Sequence, residues 1–270
     1  MSQSFGEAGR VTLSLEEGGV AQVRLARSDK LNALDRPMFE ALSEAGEALA
    51  RMSGLRAVVL AGEGRAFCAG LDVVAFAGWP GPEAPDITER THGIANIYQH
   101  VALQWRQLPV PVIAAIHGVC LGGGLQIASG ADFRVASPDA RLSIMEIKWG
   151  IIPDMGGFAL WRGLVREDEL RELIYTAREF SGEEARELGL VTLLDPDPLA
   201  RATAIAHEIA GKNPHAIRKA KHLANARHDL PIAELLVEEA RAQHELIYSK
   251  NQLEAVMSQL QDRKPRFDDP

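Results

Sequence analysis

Two apolar segments, each followed by a turn of small residues, constrain the fold of this chain most strongly. Residues 55–61 (LRAVVLA) and 112–116 (VIAAI) have the length and continuous hydrophobicity of buried strands. Helical patterns surround them at residues 38–49, at 94–107, and from the second turn through Ile127. Strands that alternate with helices predict right-handed crossovers and a parallel sheet covered by helices.

The rest of the chain adds a hairpin, one more strand and a helical second half. Residues 11–25 alternate around a Gly-Gly pair and predict a hairpin, and residues 132–136 predict a strand. From Gly156 onward the pattern is almost entirely helical and is typical of an appendage. The candidate helices cover residues 167–175, 183–187, 199–211, 214–226 and 231–260.

Composition excludes several classes of protein. The chain has 270 residues, 46% of them hydrophobic, and a net charge of −8, which disfavours nucleic-acid and anionic-membrane partners. Residues 107–131 carry no formal charge but contain two prolines and five glycines, which argues against a membrane span. Two cysteines form no disulfide framework, and the polar residues 1–10 resemble no targeting signal. We expect a soluble, cytoplasmic protein.

The two turns predict a site for a negatively charged oxygen. A small-residue turn between a strand and a helix leaves the first helical N–H groups unpaired and pointing outward. Glycines at 122–124 would let a ligand approach the backbone closely, as an oxyanion hole requires, although they could equally serve tight helix packing. The third glycine of a dinucleotide fingerprint is missing, so a dinucleotide site is disfavoured.

Four motifs in chain order indicate a family. They are residues 29–34 (DKLNAL), 66–72 (AFCAGLD), His117-Gly118 with 122–124 (GGG), and 181–185 (SGEEA) with 189–191 (GLV). In these motifs the chain resembles the crotonase, or enoyl-CoA hydratase/isomerase, superfamily, and the resemblance runs from Val11 to Phe267.

The resemblance implies an α/β fold, a crotonase-like spiral of ββα units followed by a C-terminal helical trimerisation region. We expect the core over residues 1–195 and the helical region over 196–270. It further implies a homotrimer or dimer of trimers that acts on acyl-CoA, with no metal and no cofactor besides the coenzyme A thioester. The basic tail 263–266 could then meet the phosphates of coenzyme A.

The resemblance also assigns site residues. The oxyanion-hole amides would come from Leu71 and Gly123. The residues implied in substrate binding are Lys30, Ala33, Ala69, Asp72, Gly122 and Gln126.

The acids decide the reaction. Hydratases carry one glutamate three residues beyond the oxyanion glycine and another about twenty residues later, and here these positions hold Gln126 and Glu146. A glutamine cannot act as a general base. Asp154, eight residues beyond Glu146, resembles the dienoyl-CoA isomerase branch, whose third acid is missing at 126. We therefore expect Glu146 and Asp154 as catalytic residues and favour double-bond isomerisation over hydration.

Other interpretations stay open at this stage. The chain could be a catalytically silent CoA-binding protein, or an RNA-binding one through the basic segment 212–227. Asp154 could cap a helix, and Asp72 could anchor a loop. Cys68 is more typical of a packing residue, and His117 of a structural histidine. The loop 78–86 (GWPGPEAPD) could close over a ligand or merely connect two elements.

Overall fold

A computed structural model describes residues 2–77 and 86–270, and the core of the chain is a parallel-rich sheet covered by helices. Within these residues a seven-stranded sheet has the order β1-β2-β3-β4-β5-β7-β10, and β6-β8-β9 form a second sheet. The strands are β1 Ser2–Phe5, β2 Val11–Leu15, β3 Val20–Leu25, β4 Ala57–Gly62, β5 Val112–Ile116, β6 Val119–Leu121, β7 Phe133–Ala136, β8 Arg141–Ser143, β9 Phe180–Ser181 and β10 Leu193–Leu194.

Helices cover both faces of the large sheet and dominate the second half of the chain. They are α1 Arg36–Ala50, α2 Val73–Ala77, α3 Ile97–Gln107, α4 Gly123–Ser129, α5 Gly157–Leu160, α6 Glu167–Thr176, α7 Gly182–Glu187, α8 Pro198–Ala210, α9 Pro214–Ala226, α10 Ile232–Leu246 and α11 Lys250–Leu260. Short 3-10 helices cover Glu7–Gly9, Ser28–Lys30 and Glu146–Trp149. Within the described ranges, no helix is both long enough and apolar enough to span a bilayer.

The register of the large sheet brings the two predicted turns together. Strands β4 and β5 are parallel neighbours, with Val58 opposite Val112 and Ala61 opposite Ala115. Both strands therefore end at the same sheet edge, and the segments that follow them pair in turn, because Leu121 N–H donates to Cys68 O over 3.0 Å. The predicted parallel sheet, with both turns at one edge, is confirmed.

Two predicted helices differ from the observed ones because side-chain caps set their ends. Helix α3 begins at Ile97 and not at Ile94, since Asn96 and Gln99 form a reciprocal capping box. The single helix predicted over 231–260 is wrong: α10 ends at Leu246, and Tyr248 has a left-handed φ of 62°. Ser249 then accepts a hydrogen bond from Gln252 N–H and starts α11.

The C-terminal helices are attached to the sheet by one apolar contact layer and one buried cation. Ala202 and Ala206 of α8 pack in a cluster with Ala57 and Ile113 of the sheet. Lys221 of α9 is 6% exposed and donates to Trp105 O, Val110 O and the carboxylate of Asp132 over 2.7–2.9 Å. The division at residue 195 stays a prediction.

Candidate active site

The first turn presents a backbone N–H with no acceptor. Leu34 N–H donates to Gly70 O over 2.8 Å, and Asp72 N–H donates to Leu34 O over 2.9 Å. In a parallel bridge of this kind the intervening residue, Leu71, turns its own N–H to the other side. Leu71 N–H donates to none of the described residues. Gly70 permits the turn because its φ is +81°.

The second turn places another free donor close to the first. Gly122 has a φ of 51° and is the residue before α4, so Gly123 N–H is the first donor of the helix. Within residues 2–77 and 86–270 it finds no acceptor. A Cβ added to Gly70 would lie 3.7 Å from Gly123 N, so the two turns are in contact. The structure thus places the turns that carry the Leu71 and Gly123 N–H groups against each other, and their role as an oxyanion hole stays a prediction.

Glu146 lies beside this pair of donors. A Cβ added to Gly122 would be 3.5 Å from Glu146 Oε1, so the carboxyl group borders the second turn. The side chain is 7% exposed, and Oε2 has no hydrogen-bond partner among the described residues. A buried carboxyl oxygen without a hydrogen-bond partner is exceptional in a folded protein, which makes Glu146 a candidate for proton transfer.

Desolvation raises the pKa of both candidate acids, although only Glu146 is buried. Desolvation raises the pKa of Glu146, and the negative charge of Asp154 raises it further, against the hydrogen bond from Gln126. The side chain of Asp154 is exposed to solvent. Partial desolvation by the surrounding protein nevertheless raises its pKa. Asp154 caps no described helix, since α5 follows Gly156 without a side-chain cap.

Gln126 is buried next to Glu146, and both the nitrogen and the oxygen of its amide bind protein groups. Its Nε2 donates to Glu146 Oε1 over 2.6 Å. Its Oε1 accepts from Met155 N–H over 2.9 Å and from Gly157 N–H over 3.0 Å. With 1% of its surface exposed, Gln126 is better suited to positioning Glu146 than to the direct substrate contact that we predicted.

Comparison with known proteins gives the family. The enoyl-CoA hydratase/isomerase family model matches residues 16–270. This chain belongs to the enoyl-CoA hydratase/isomerase family. It is 32% identical over 239 residues to a probable enoyl-CoA hydratase of Bacillus subtilis (strain 168), covering 87% of this chain and 90% of that protein. It is 31% identical over 259 residues to the peroxisomal Delta(3,5)-Delta(2,4)-dienoyl-CoA isomerase of Arabidopsis thaliana, covering 93% of each.

Solved structures agree on the fold. An enoyl-CoA hydratase from Bacillus anthracis superposes with a TM-score of 0.86 at 31% identity, over 96% of this chain and 98% of that one. The chain is therefore an enzyme of the enoyl-CoA hydratase/isomerase family with the crotonase fold. Relatives of comparable similarity carry the names of both hydratases and isomerases.

In this enoyl-CoA hydratase/isomerase family member, the loop before α1 is tied to the first turn. Ala69 N–H donates to Leu31 O over 2.9 Å, so the segments that contain Lys30, Ala33 and Ala69 lie against each other. Lys30 is exposed and forms no ion pair with a described acid, whereas Ala33 is buried. The structure places these predicted substrate-binding residues together, and their role stays a prediction.

Two residues that the sequence analysis did not single out hold this loop. The guanidinium of Arg27 contacts Asp35 Oδ2 at 3.3 Å, Asp72 Oδ2 at 2.8 Å and Ala33 O at 3.0 Å. The buried amide of Asn32 donates to Glu63 O and Ala66 O. Asn32 also has a left-handed φ of 57°, which asparagine tolerates better than most residues. An arginine a few residues before an asparagine is too common in protein sequences to have predicted these contacts.

Asp72 is an anchor in the structure. Its carboxylate pairs with Arg27 and accepts from Val74 N–H and Ala75 N–H at the start of α2. Burial acts to raise the pKa of Asp72, yet the hydrogen bonds from Ala75 and Arg27 lower it below its usual value. A carboxylate committed in this way supports the loop-anchor interpretation over direct substrate binding.

The remaining nucleophile and base candidates have structural partners. Cys68 is fully buried, its thiol donates to Asn32 O over 3.1 Å, and burial raises its pKa to about 12. His117 Nε2 lies 3.0 Å from Gly64 O. Across the two described ranges, no group of three or more His, Cys, Asp or Glu side chains could hold a metal ion. The predicted loop 78–86 falls almost wholly outside the described residues.

Proposed function

We propose that this enzyme moves double bonds in enoyl- or dienoyl-CoA thioesters, with Glu146 and Asp154 as the acid/base residues. The observation that carries the proposal is Gln126. It occupies the position at which hydratases are expected to carry one of two glutamates, and its amide nitrogen and oxygen both bind protein groups. Among the described residues, Glu146 then remains next to the proposed oxyanion donors as the group that can exchange protons.

The proposed reaction begins at the carbon next to the thioester. The carbonyl oxygen of the substrate accepts hydrogen bonds from Leu71 N–H and Gly123 N–H, which stabilises the charge of an enolate. Glu146 Oε2 removes a proton from C2, and the electron pair of that C–H bond moves into the enolate. In a 3,5-dienoyl substrate the electrons then shift along the chain to C6.

Asp154 is proposed to complete the reaction by delivering a proton at C6. This yields the 2,4-dienoyl thioester, with one proton taken and one proton returned. Asp154 suits this step because its carboxyl group lies close enough to Glu146 for its charge to raise the pKa of that residue. The resemblance to the dienoyl-CoA isomerase of Arabidopsis thaliana supports the same substrate class.

Hydration of 2-enoyl-CoA is the second candidate. It is supported by the resemblance to hydratases and by the unpaired Oε2 of Glu146, which could hold water.

One experiment distinguishes isomerisation from hydration. The purified enzyme is offered a 3,5-dienoyl-CoA and crotonyl-CoA in parallel, and the products are separated by chromatography. Rapid hydration without any isomerisation would exclude the proposed function.

Variants test the roles of the two acids. Glu146→Gln is expected to lower kcat for isomerisation by about 10²–10⁴-fold, because general acid/base catalysis contributes that much. Asp154→Asn should lower isomerisation while it spares C2 proton exchange with D2O, since only the second proton step is lost. Asp168→Asn serves as the control, because this carboxylate pairs with Arg166 on an exposed helix. Equal loss of both activities in Asp154→Asn would contradict its assignment.

A role in binding RNA has lost its main support. Within segment 212–227, Lys221 is buried on Asp132, Lys219 pairs with Glu245, and Lys212 lies 3.9 Å from Glu208. These acids neutralise much of the basic character that the sequence suggested. The basic tail behaves similarly, because Arg263 forms two hydrogen bonds with the carboxylate of Glu254.

We propose in addition that the enzyme assembles as a trimer or dimer of trimers through its C-terminal helices. Apolar side chains of α10 and α11 are exposed in the single chain, among them Ile232, Leu236 and Leu260. Sedimentation equilibrium should give three or six times the chain mass of 29.3 kDa. A monomer at micromolar concentration would contradict this. The cytoplasmic location stays a prediction.

A further inference from the structure

Gln126 has hydrogen-bond partners that allow only one orientation of its amide group. Its Oε1 receives two backbone N–H groups, from Met155 at 2.9 Å and from Gly157 at 3.0 Å. An NH₂ group in that place would face two donors and find no acceptor. The nitrogen of the amide must therefore point to Glu146.

The fixed orientation has a consequence for the two oxygens of Glu146. Oε1 lies 2.6 Å from Gln126 Nε2 and always receives an N–H donor. A carbonyl or carboxylate oxygen accepts such a bond far better than the hydroxyl oxygen of a protonated acid does. The proton of neutral Glu146 is therefore disfavoured on Oε1 and favoured on Oε2, which has no partner among the described residues.

We infer that Gln126 is a positioning residue that confines proton transfer to Oε2 of Glu146. The inference rests on the proposed function for its catalytic meaning, since it names the atom that takes and returns the proton. It gives Gln126 a role that neither water activation nor acid/base catalysis describes.

The same amide links the second acid to the first. Met155, whose N–H binds Gln126 Oε1, is the neighbour of Asp154 in the chain. The segment 154–157 therefore cannot shift without disturbing the group that orients Glu146. Gln126 thus binds the Glu146 carboxyl group on one side and the backbone next to Asp154 on the other, and with 1% exposure it is enclosed by protein.

The test measures the titration of Glu146 directly, by ¹³C NMR of side-chain-labelled glutamate, with Glu146→Gln to assign the signal. In Gln126→Leu the donor is lost, so the midpoint should move to higher pH by about one pH unit. Gln126→Glu retains an oxygen for Met155 N–H and Gly157 N–H, which preserves the fold, yet it donates only when protonated. It should also raise the midpoint, because an ionised neighbour disfavours the charge of Glu146.

Ser129→Ala is the matched control, since Ser129 lies one turn further along α4, is fully buried and accepts a hydrogen bond from Trp161 Nε1 over 2.9 Å. It should lower stability without moving the midpoint. In the infrared spectrum, the C=O band of protonated Glu146 should rise in frequency in Gln126→Leu, because Oε1 loses its donor.

Kinetics provide the catalytic readout for the Gln126 variants. The acid limb of their kcat/KM profile against pH should move to higher pH together with the NMR midpoint of Glu146. Their kcat should fall about tenfold or more, while KM stays within about threefold of the wild-type value. The inference is overturned if the Glu146 midpoint moves in neither Gln126 variant. It is also overturned if Ser129→Ala shifts that midpoint as far as the Gln126 variants do. If the midpoints move but the wild-type enzyme isomerises no substrate, the proposed function fails and the positioning of Glu146 stands.

Discussion

Gly124→Ala tests whether the close contact of the two turns sets the rate of enolate formation. Gly124 follows Gly123, the proposed oxyanion donor, in α4 and faces the first turn. A Cβ at this position would lie 2.7 Å from Cys68 O and 2.8 Å from Cys68 Cβ. Neither atom is the flexible end of a side chain, so the first turn itself must move.

The size of that movement follows from the distances. Ordinary contact begins near 3.4 Å, so the turns must separate by about 0.7 Å. Leu71, three residues beyond Cys68, moves with the first turn and away from Gly123. A misplacement of about 1 Å costs about 10²-fold in rate, and loss of one oxyanion donor costs about 10²–10³-fold. We therefore expect enolate formation to slow by about 30- to 100-fold.

The assay is exchange of the C2 protons of butyryl-CoA with D₂O, followed by ¹H NMR. A saturated thioester can be neither hydrated nor isomerised, so exchange reports the enolate alone. The control is Gly211→Ala, since a Cβ at Gly211 lies 3.4 Å from the nearest atom, Glu208 O, in ordinary contact and far from the site. A folded Gly124→Ala protein that exchanges protons within twofold of wild type would refute the reasoning.

Three further predictions follow from buried groups. Lys221→Met should lower the free energy of unfolding, measured in urea, by about 2–4 kcal/mol. The substitution leaves two backbone carbonyls and the 22% exposed carboxylate of Asp132 without their cation. An unchanged urea midpoint would contradict this. Cys68 should resist iodoacetamide in the native protein at pH 8, since burial raises its pKa to about 12; rapid labelling seen by mass spectrometry would speak against that burial. Glu146 has a raised pKa in the folded state, so its contribution to stability is present below the unfolded value of about 4.3 and is lost as pH rises through the folded pKa. Glu146→Gln should therefore match wild type in stability near pH 4 and exceed it above the folded pKa, in denaturation curves taken across this range.

Helices and strands that are determined by the residue pattern of their own segment could be predicted from the sequence. The strand over 112–116 was predicted at its exact bounds, because a short apolar run between prolines and a turn has few alternatives. The two-residue strands β9 and β10 were missed, since alternation needs at least four residues to be visible. The break before Ser249 was missed because the residues around it keep the apolar spacing of one long helix.

The sequence named candidate site residues, but it could not predict the contacts between them. Glu146, Asp154 and the two backbone donors follow from motif positions. The bond between Gln126 and Glu146 does not, because the two residues stand twenty positions apart and only the fold joins them. Arg27 was missed for the same reason, since both of its acidic partners lie in other segments.

The two unpaired amides at Leu71 and Gly123 also bear on how such an enzyme changes over evolution. A backbone N–H is present whatever side chain a codon specifies, so most point mutations cannot delete either donor. Positions 126, 146 and 154 can therefore vary, and a new reaction can arise, while the two proposed oxyanion donors are inherited intact. A combinatorial library at these three positions, with residues 70 and 122–124 left constant, would sample new chemistry on a surviving scaffold.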